Sequence, residues 1–154
     1  MVGGDEEVFK KAEPVIDCYS KKVKLIGPCG SGQLTKMANQ ICIAGILQGL
    51  SEAINFSQRA GIDIDKMIGV ISRGAAGSWQ LENRGKTMAA NKFDFGFAVD
   101  WMRKDLDICL REAESNGSPL PLVSLVDQFY KEVQLMGGGR WDTSSLIKRF
   151  ENLN

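Results

Sequence analysis

Histidine is missing altogether from these 154 residues. Its absence removes the commonest general base, the usual imidazole metal ligand and any serine–histidine triad together. Cysteine is sparse and unpatterned: Cys18, Cys29, Cys42 and Cys109 form no C-x-x-C pair and show no metal-ligand spacing. They read as buried free thiols in a reducing compartment, with no disulfide framework and no metal centre. No apolar run approaches the roughly 20 residues that a membrane-spanning helix needs, and the N-terminus shows no signal-peptide pattern. An excess of either charge is missing too, since 19 basic and 19 acidic side chains cancel. Nucleic acid leaves a basic footprint that is not present here, and an acidic membrane surface has nothing to attract. What remains is a soluble, intracellular, metal-free protein, 44% apolar and 25% charged, of a length that one domain and one core can sustain.

The most informative stretch that is present runs from Gly27 to Gln40, Gly-Pro-Cys-Gly-Ser-Gly-Gln-Leu-Thr-Lys-Met-Ala-Asn-Gln. It is a glycine-rich turn that opens the longest apolar helix, predicted over about Ser31–Ala60 and closed by Gly61. Lys36 and Gln40 are four residues apart and share a helix face. The positive end of the helix dipole disfavours an ammonium, so an amine there is a usable proton donor or acceptor near neutral pH. Lys36 is therefore the first candidate for chemistry. The competing reading is a solvated lysine beside a polar stripe of Gln33, Gln40, Ser51, Asn55 and Gln58. A phosphate-binding loop is excluded, because G-x-x-x-x-G-K-[ST] would need the lysine before the threonine, and Thr35 precedes Lys36.

Around this stretch the pattern is almost wholly helical. Residues 5–19 read as a helix with Asp5 as N-cap and a kink or late start at Pro14. Val23–Ile26 reads as one short strand, and residues 1–4 as the stub of a strand or loop. Beyond Gly61, helices are predicted over Asp63–Arg73, Trp79–Ala90, Ala98–Ser115 and Leu122–Leu135, with a last short one from Ser144 or Ser145. The segment Ile41–Leu47 is nearly all apolar and should be buried on most sides. Asp100 and Lys104 have the spacing of an ordinary helix-surface ion pair. Trp79, Trp101 and Trp141 read as core or interface aromatics, and Arg140 and Asp142 beside the last as candidates for shaping a cleft edge.

Three stretches together resemble the C-terminal part of the 3-hydroxyacid dehydrogenase family, which is similar to 6-phosphogluconate dehydrogenase. Met1–Phe9 resembles the end of that family's cofactor domain. Gly30-Ser-Gly-Gln-Leu-Thr-Lys36-Met-Ala-Asn39-Gln40 resembles its G-x-G-x-x-x-K-x-x-x-N/Q signature, and Phe97 to Leu106 its F-x(6)-K-D-L motif. The resemblance implies a mainly α fold: a 6-phosphogluconate dehydrogenase C-terminal-like helical domain at 28–154, preceded at 1–27 by a short α/β remnant of a Rossmann domain. It implies NAD(P)-dependent interconversion of a small β-hydroxyacid and its semialdehyde, with Lys36 as general acid/base. Gly30, Ser31, Gly32, Asn39, Gln40, Phe97 and Asp105 would serve the substrate, and Lys104 the nicotinamide end of the cofactor. Missing from the pattern is the G-x-G-x-x-G turn that holds a dinucleotide pyrophosphate. The main NAD or NADP site is therefore expected outside this chain, which reads as a fragment that is inactive alone. The apolar middle of the long helix implies a homodimer or higher homo-oligomer, in the cytoplasm or an organelle matrix. A rival reading from another class is a non-catalytic helical oligomerisation module. A sugar-phosphate dehydrogenase would need a basic cluster near Lys36 that this sequence does not offer.

Overall fold

A two-residue strand, β1 (Val2–Gly3), opens the protein and is followed by helix α1 (Glu6–Asp17) and strand β2 (Leu25–Gly27). The strands pair in parallel, Val2 opposite Leu25 and Gly3 opposite Gly27. Parallel neighbours need a crossover, and α1 supplies it, making a minimal β-α-β unit. Asp5 caps α1, its Oδ1 accepting the Val8 N–H at 3.0 Å. The late start expected from Pro14 does not occur: α1 begins at Glu6 and carries Pro14 inside it. Helix α2 (Ser31–Arg59) then begins directly behind β1. A Cβ on Gly3 would lie 2.6 Å from the Pro28 carbonyl oxygen and 2.8 Å from the Ser31 and Gly32 nitrogens. Only a glycine lets the strand run that close to the helix N-terminus. The computed structural model describes residues 1–151. It divides into two units, Met1–Gln40 and the chain from Ile41 on, each described by itself.

The second unit holds the rest of α2, then α3 (Ile64–Ile71), α4 (Trp79–Ala89), α5 (Val99–Asn116), α6 (Pro121–Leu135) and two 3₁₀ helices, Gly138–Arg140 and Thr143–Phe150. One core cluster gathers Ala44 and Leu47 of α2, Val99, Met102 and Leu106 of α5, Val123, Val126, Tyr130 and Val133 of α6, and Leu146. A second gathers Leu50, Ile54, Ile68, Leu81, Met88, Phe93 and Ile147. With a small parallel sheet and helices elsewhere, the fold among the described residues is mainly α, as the sequence implies. No helix among them is long and apolar enough to cross a membrane.

Four expectations about burial are corrected. Within Ile41–Leu47 only Ala44 and Leu47 are buried, while Cys42 and Ile46 are exposed. From Ala44 on, the buried positions of α2 are 44, 47, 48, 50, 51, 54 and 57, one side of the helix rather than a helix enclosed all round. Ser51 falls on that side, so the supposed solvated polar face is partly interior; its hydroxyl donates back to the Leu47 carbonyl at 2.8 Å. Of the cysteines, only Cys109 is buried, and the other three are exposed free thiols. Among the tryptophans, Trp141 packs against both clusters, but Trp79 and Trp101 are 60% and 50% exposed.

Candidate functional site

In the first unit the glycine-rich turn and the first turns of α2 set the geometry. Gly30 adopts φ +94°, a backbone conformation that L side chains rarely take, and a Cβ there would meet nothing within 4 Å. The turn is therefore open at Gly30, whereas β1 lies against the backbone of Ser31 and Gly32. The Ser31 N–H donates to the Pro28 carbonyl at 3.1 Å, and the Thr35 hydroxyl to the Ser31 carbonyl at 2.8 Å. One turn further, the Lys36 ammonium donates to Gln40 Oε1 at 2.8 Å, and Asn39 Nδ2 donates to the same oxygen at 2.9 Å. Gln40 is only 2% exposed, whereas Lys36 and Asn39 are exposed. A buried amide oxygen thus anchors two exposed donors. The ammonium keeps protons free to point outward, since it has three and spends one on Gln40.

In the second unit the other sequence-selected residues fall in two places. Lys104 and Asp105 lie on α5, with Lys104 Nζ 3.0 Å from Asp105 Oδ1 and 5.8 Å from the centre of the Trp101 ring. The expected Asp100–Lys104 pair is not what forms. Asp100 Oδ1 instead accepts the Gln134 amide of α6 at 2.6 Å, and Gln134 in turn accepts from Arg103, which holds Asp127. Phe97 lies in the connection before α5. Its backbone N–H donates to Asp142 Oδ2 and its carbonyl accepts the Thr143 N–H, both at 2.9 Å.

The family model describing the NAD-binding region of NADP-dependent 3-hydroxyisobutyrate dehydrogenase matches residues 30–150. The chain belongs to the 3-hydroxyisobutyrate dehydrogenase family. An uncharacterized oxidoreductase of Shewanella frigidimarina is 62% identical over 98% of this chain and 52% of its own length. A probable 3-hydroxyisobutyrate dehydrogenase-like protein, mitochondrial, of Arabidopsis thaliana is 39% identical over 100% of this chain and 46% of its own. The crystal structure of a 3-hydroxyisobutyrate dehydrogenase from Salmonella typhimurium matches 96% of this chain and 52% of that one, at 32% identity and a TM-score of 0.85. The chain spans about half the length of the curated relatives it matches.

Two further polar centres stand out in this 3-hydroxyisobutyrate dehydrogenase family chain; the sequence misses the first and picks the second, Asp142, only for its place beside Trp141. The first is the fork from Arg103 to Asp127, 2.9 and 3.0 Å, which raises the Arg103 guanidinium's affinity for its proton through the Asp127 hydrogen bond, against a partial loss of solvent. The second is Asp142, 2% exposed, which accepts from Phe97 and Ser144 and forms an ion pair with Arg84. Partners 24 and 45 residues away in sequence leave no local pattern, so neither centre has a signature in a single chain.

Proposed function

We propose that this chain is the C-terminal part of an NAD(P)-dependent oxidoreductase that interconverts a small β-hydroxyacid and its semialdehyde. Residues 1–27 would be the tail of the cofactor domain and 28–154 the helical domain. The observation that carries the reading is Gln40 Oε1 accepting from both Lys36 and Asn39. The buried amide fixes where an exposed ammonium points. NAD(P)H, when bound, supplies the hydride. In reduction Lys36 Nζ gives its proton to the substrate's carbonyl oxygen as that oxygen becomes a hydroxyl; in oxidation the neutral amine takes the hydroxyl proton. Exposure of Lys36 lets solvent restore its proton between turnovers. Asn39 and Gln40 orient the substrate, Gly30 leaves the turn open to it, and Ser31 and Gly32, packed against β1, hold the turn in place beside it. Phe97 and Asp105 serve the substrate side.

The residues present fit one end of the cofactor. Lys104 offers exposed N–H donors beside the half-exposed Trp101 ring, a surface suited to a carboxamide and an aromatic ring. A pyrophosphate turn of the G-x-G-x-x-G kind has no counterpart in the sequence. Exposed Ile46 and Phe56 on α2 support homo-oligomerisation, and the cytoplasm or an organelle matrix is the proposed setting.

The test follows NAD(P)H absorbance with a panel of small semialdehydes, using enzyme made from the complete reading frame. Lys36→Ala should lower kcat by about 10²–10⁴-fold with cofactor affinity unchanged. Undiminished kcat removes Lys36 from proton transfer. An assembled but inert wild-type protein favours the oligomerisation module.

A further inference from the structure

Phe97 sits where no regular element holds it, between the end of α4 and the start of α5. It is 38% exposed, too exposed for ring packing to fix it. What fixes it is a short antiparallel contact with a segment 45 residues further along. Ala98 bridges to Asp142, the Asp142 N–H donates to the Phe93 carbonyl, and the Val99 N–H donates to the Trp141 carbonyl, each at 2.9 Å. The Asp142 carboxylate completes this contact from the side. Its Oδ2 takes the Phe97 N–H, and its Oδ1 takes the Ser144 N–H at 3.1 Å and the Ser144 hydroxyl at 2.5 Å, with Arg84 Nε in an ion pair 3.3 Å away.

Arg84 is itself held, its guanidinium 5.0 Å from the centre of the Trp79 ring and 4.7 Å from that of Phe95. The carboxylate is thus pinned by a stacked cation on one side and by the turn Asp142–Ser144 on the other. Gly96 shows how closely it lies over the loop. With φ +73°, any Cβ on Gly96 would collide with Asp142 Oδ2 and come within 2.9 Å of Arg84 Nη2. On the far side of the same segment, the buried Tyr130 hydroxyl donates to the Thr143 carbonyl at 3.1 Å.

We infer that Asp142 is a positioning residue of the enzyme: its buried carboxylate, braced by Arg84, fixes the Gly96–Phe97 peptide and so places the Phe97 ring for substrate. This rests on the reading of Phe97 as a substrate-side residue. A carboxylate is required because both oxygens accept; in an amide one of the two positions becomes a donor and faces another donor.

Asp142→Asn keeps the shape and breaks that arrangement. In enzyme from the complete reading frame, hydrogen exchange should show Phe97 amide protection falling by about tenfold or more. The amides of Leu106 and Val126, inside α5 and α6, should keep theirs. The KM for the semialdehyde should rise roughly tenfold, with kcat and the cofactor KM within about twofold of wild type. Gly96→Ala, which displaces the carboxylate from the loop side while leaving Asp142 in place, should reproduce the pattern. Phe97 protection unchanged in both variants overturns the positioning role. So does loss of protection at Leu106 and Val126 along with Phe97, with kcat and both KM values moving together. Phe97→Leu with unaltered KM, beside a deprotected Phe97 in Asp142→Asn, overturns the substrate-side reading and leaves the positioning standing.

Discussion

Tyr130 is the most deeply placed ionisable group of the second unit, fully buried in the cluster of α5 and α6. Burial, and then the Asp142 carboxylate, push its phenol well above the usual value. In the unfolded chain the same phenol ionises near pH 10. Above that pH the unfolded state has released a proton that the folded state still holds, so stability is full below about pH 10 and declines as pH rises toward the folded value. Tyr130→Phe should flatten this alkaline slope. At neutral pH it should cost about 1 kcal/mol for the lost bond to Thr143. Urea unfolding on either side of about pH 10 measures both effects; an alkaline slope unchanged by the substitution would show that other groups carry it. Lys36 lies at the opposite extreme among the residues. Its bond to Gln40 is legible from spacing alone, because i and i+4 meet on any helix. That Gln40 is buried while its two donors are exposed is not legible, since burial is decided by what packs against the helix.

At the scale of elements, the glycine turn after α6 carries a sharp contrast. Gly138 is buried, and a Cβ on it would collide with the Trp141 ring and lie 2.7 Å from Val133 Cγ1. The ring is held between two core clusters and has little room to yield. Gly138→Ala should therefore cost about 1–3 kcal/mol, by overpacking. Gly49, exposed in mid-α2, meets nothing within 4 Å. Gly49→Ala should stabilise by roughly 0.5–1 kcal/mol, since it removes backbone freedom from the unfolded chain at no steric cost. Thermal melts of the two variants should move in opposite directions, and a fall in both would mean that the α2 surface at Gly49 is not open. Helices that start at caps and stop at breakers were readable: α4, α5 and α6 fall within one residue of their expected ends. Val23–Ile26 shortens to Leu25–Gly27, and the last helix becomes a 3₁₀ segment begun by Asp142. Both depend on distant partners, β1 in one case and the Phe97 segment in the other.

At the scale of the molecule, the question is whether the two core clusters of the second unit stand or fall together. Three segments serve both. Helix α2 gives Ala44 and Leu47 to one and Leu50 and Ile54 to the other; the last 3₁₀ helix gives Leu146 to one and Ile147 to the other; Trp141 packs against each. The Phe93 and Trp141 rings, with centres 6.4 Å apart, add a further tie. A segment that loses its place in one cluster withdraws side chains from the other, so the clusters cannot melt separately at low cost. Leu106→Ala opens a cavity in the first cluster and Leu81→Ala in the second, each at about 2–5 kcal/mol. Calorimetry should show each variant lowering one shared transition, with the calorimetric and van't Hoff enthalpies in agreement for that transition. Were Leu81→Ala to split off an early transition that Leu106→Ala leaves untouched, the clusters would be separate folding units. The Phe97 segment, with Phe93 in the second cluster and Val99 in the first, would then bridge two folding units.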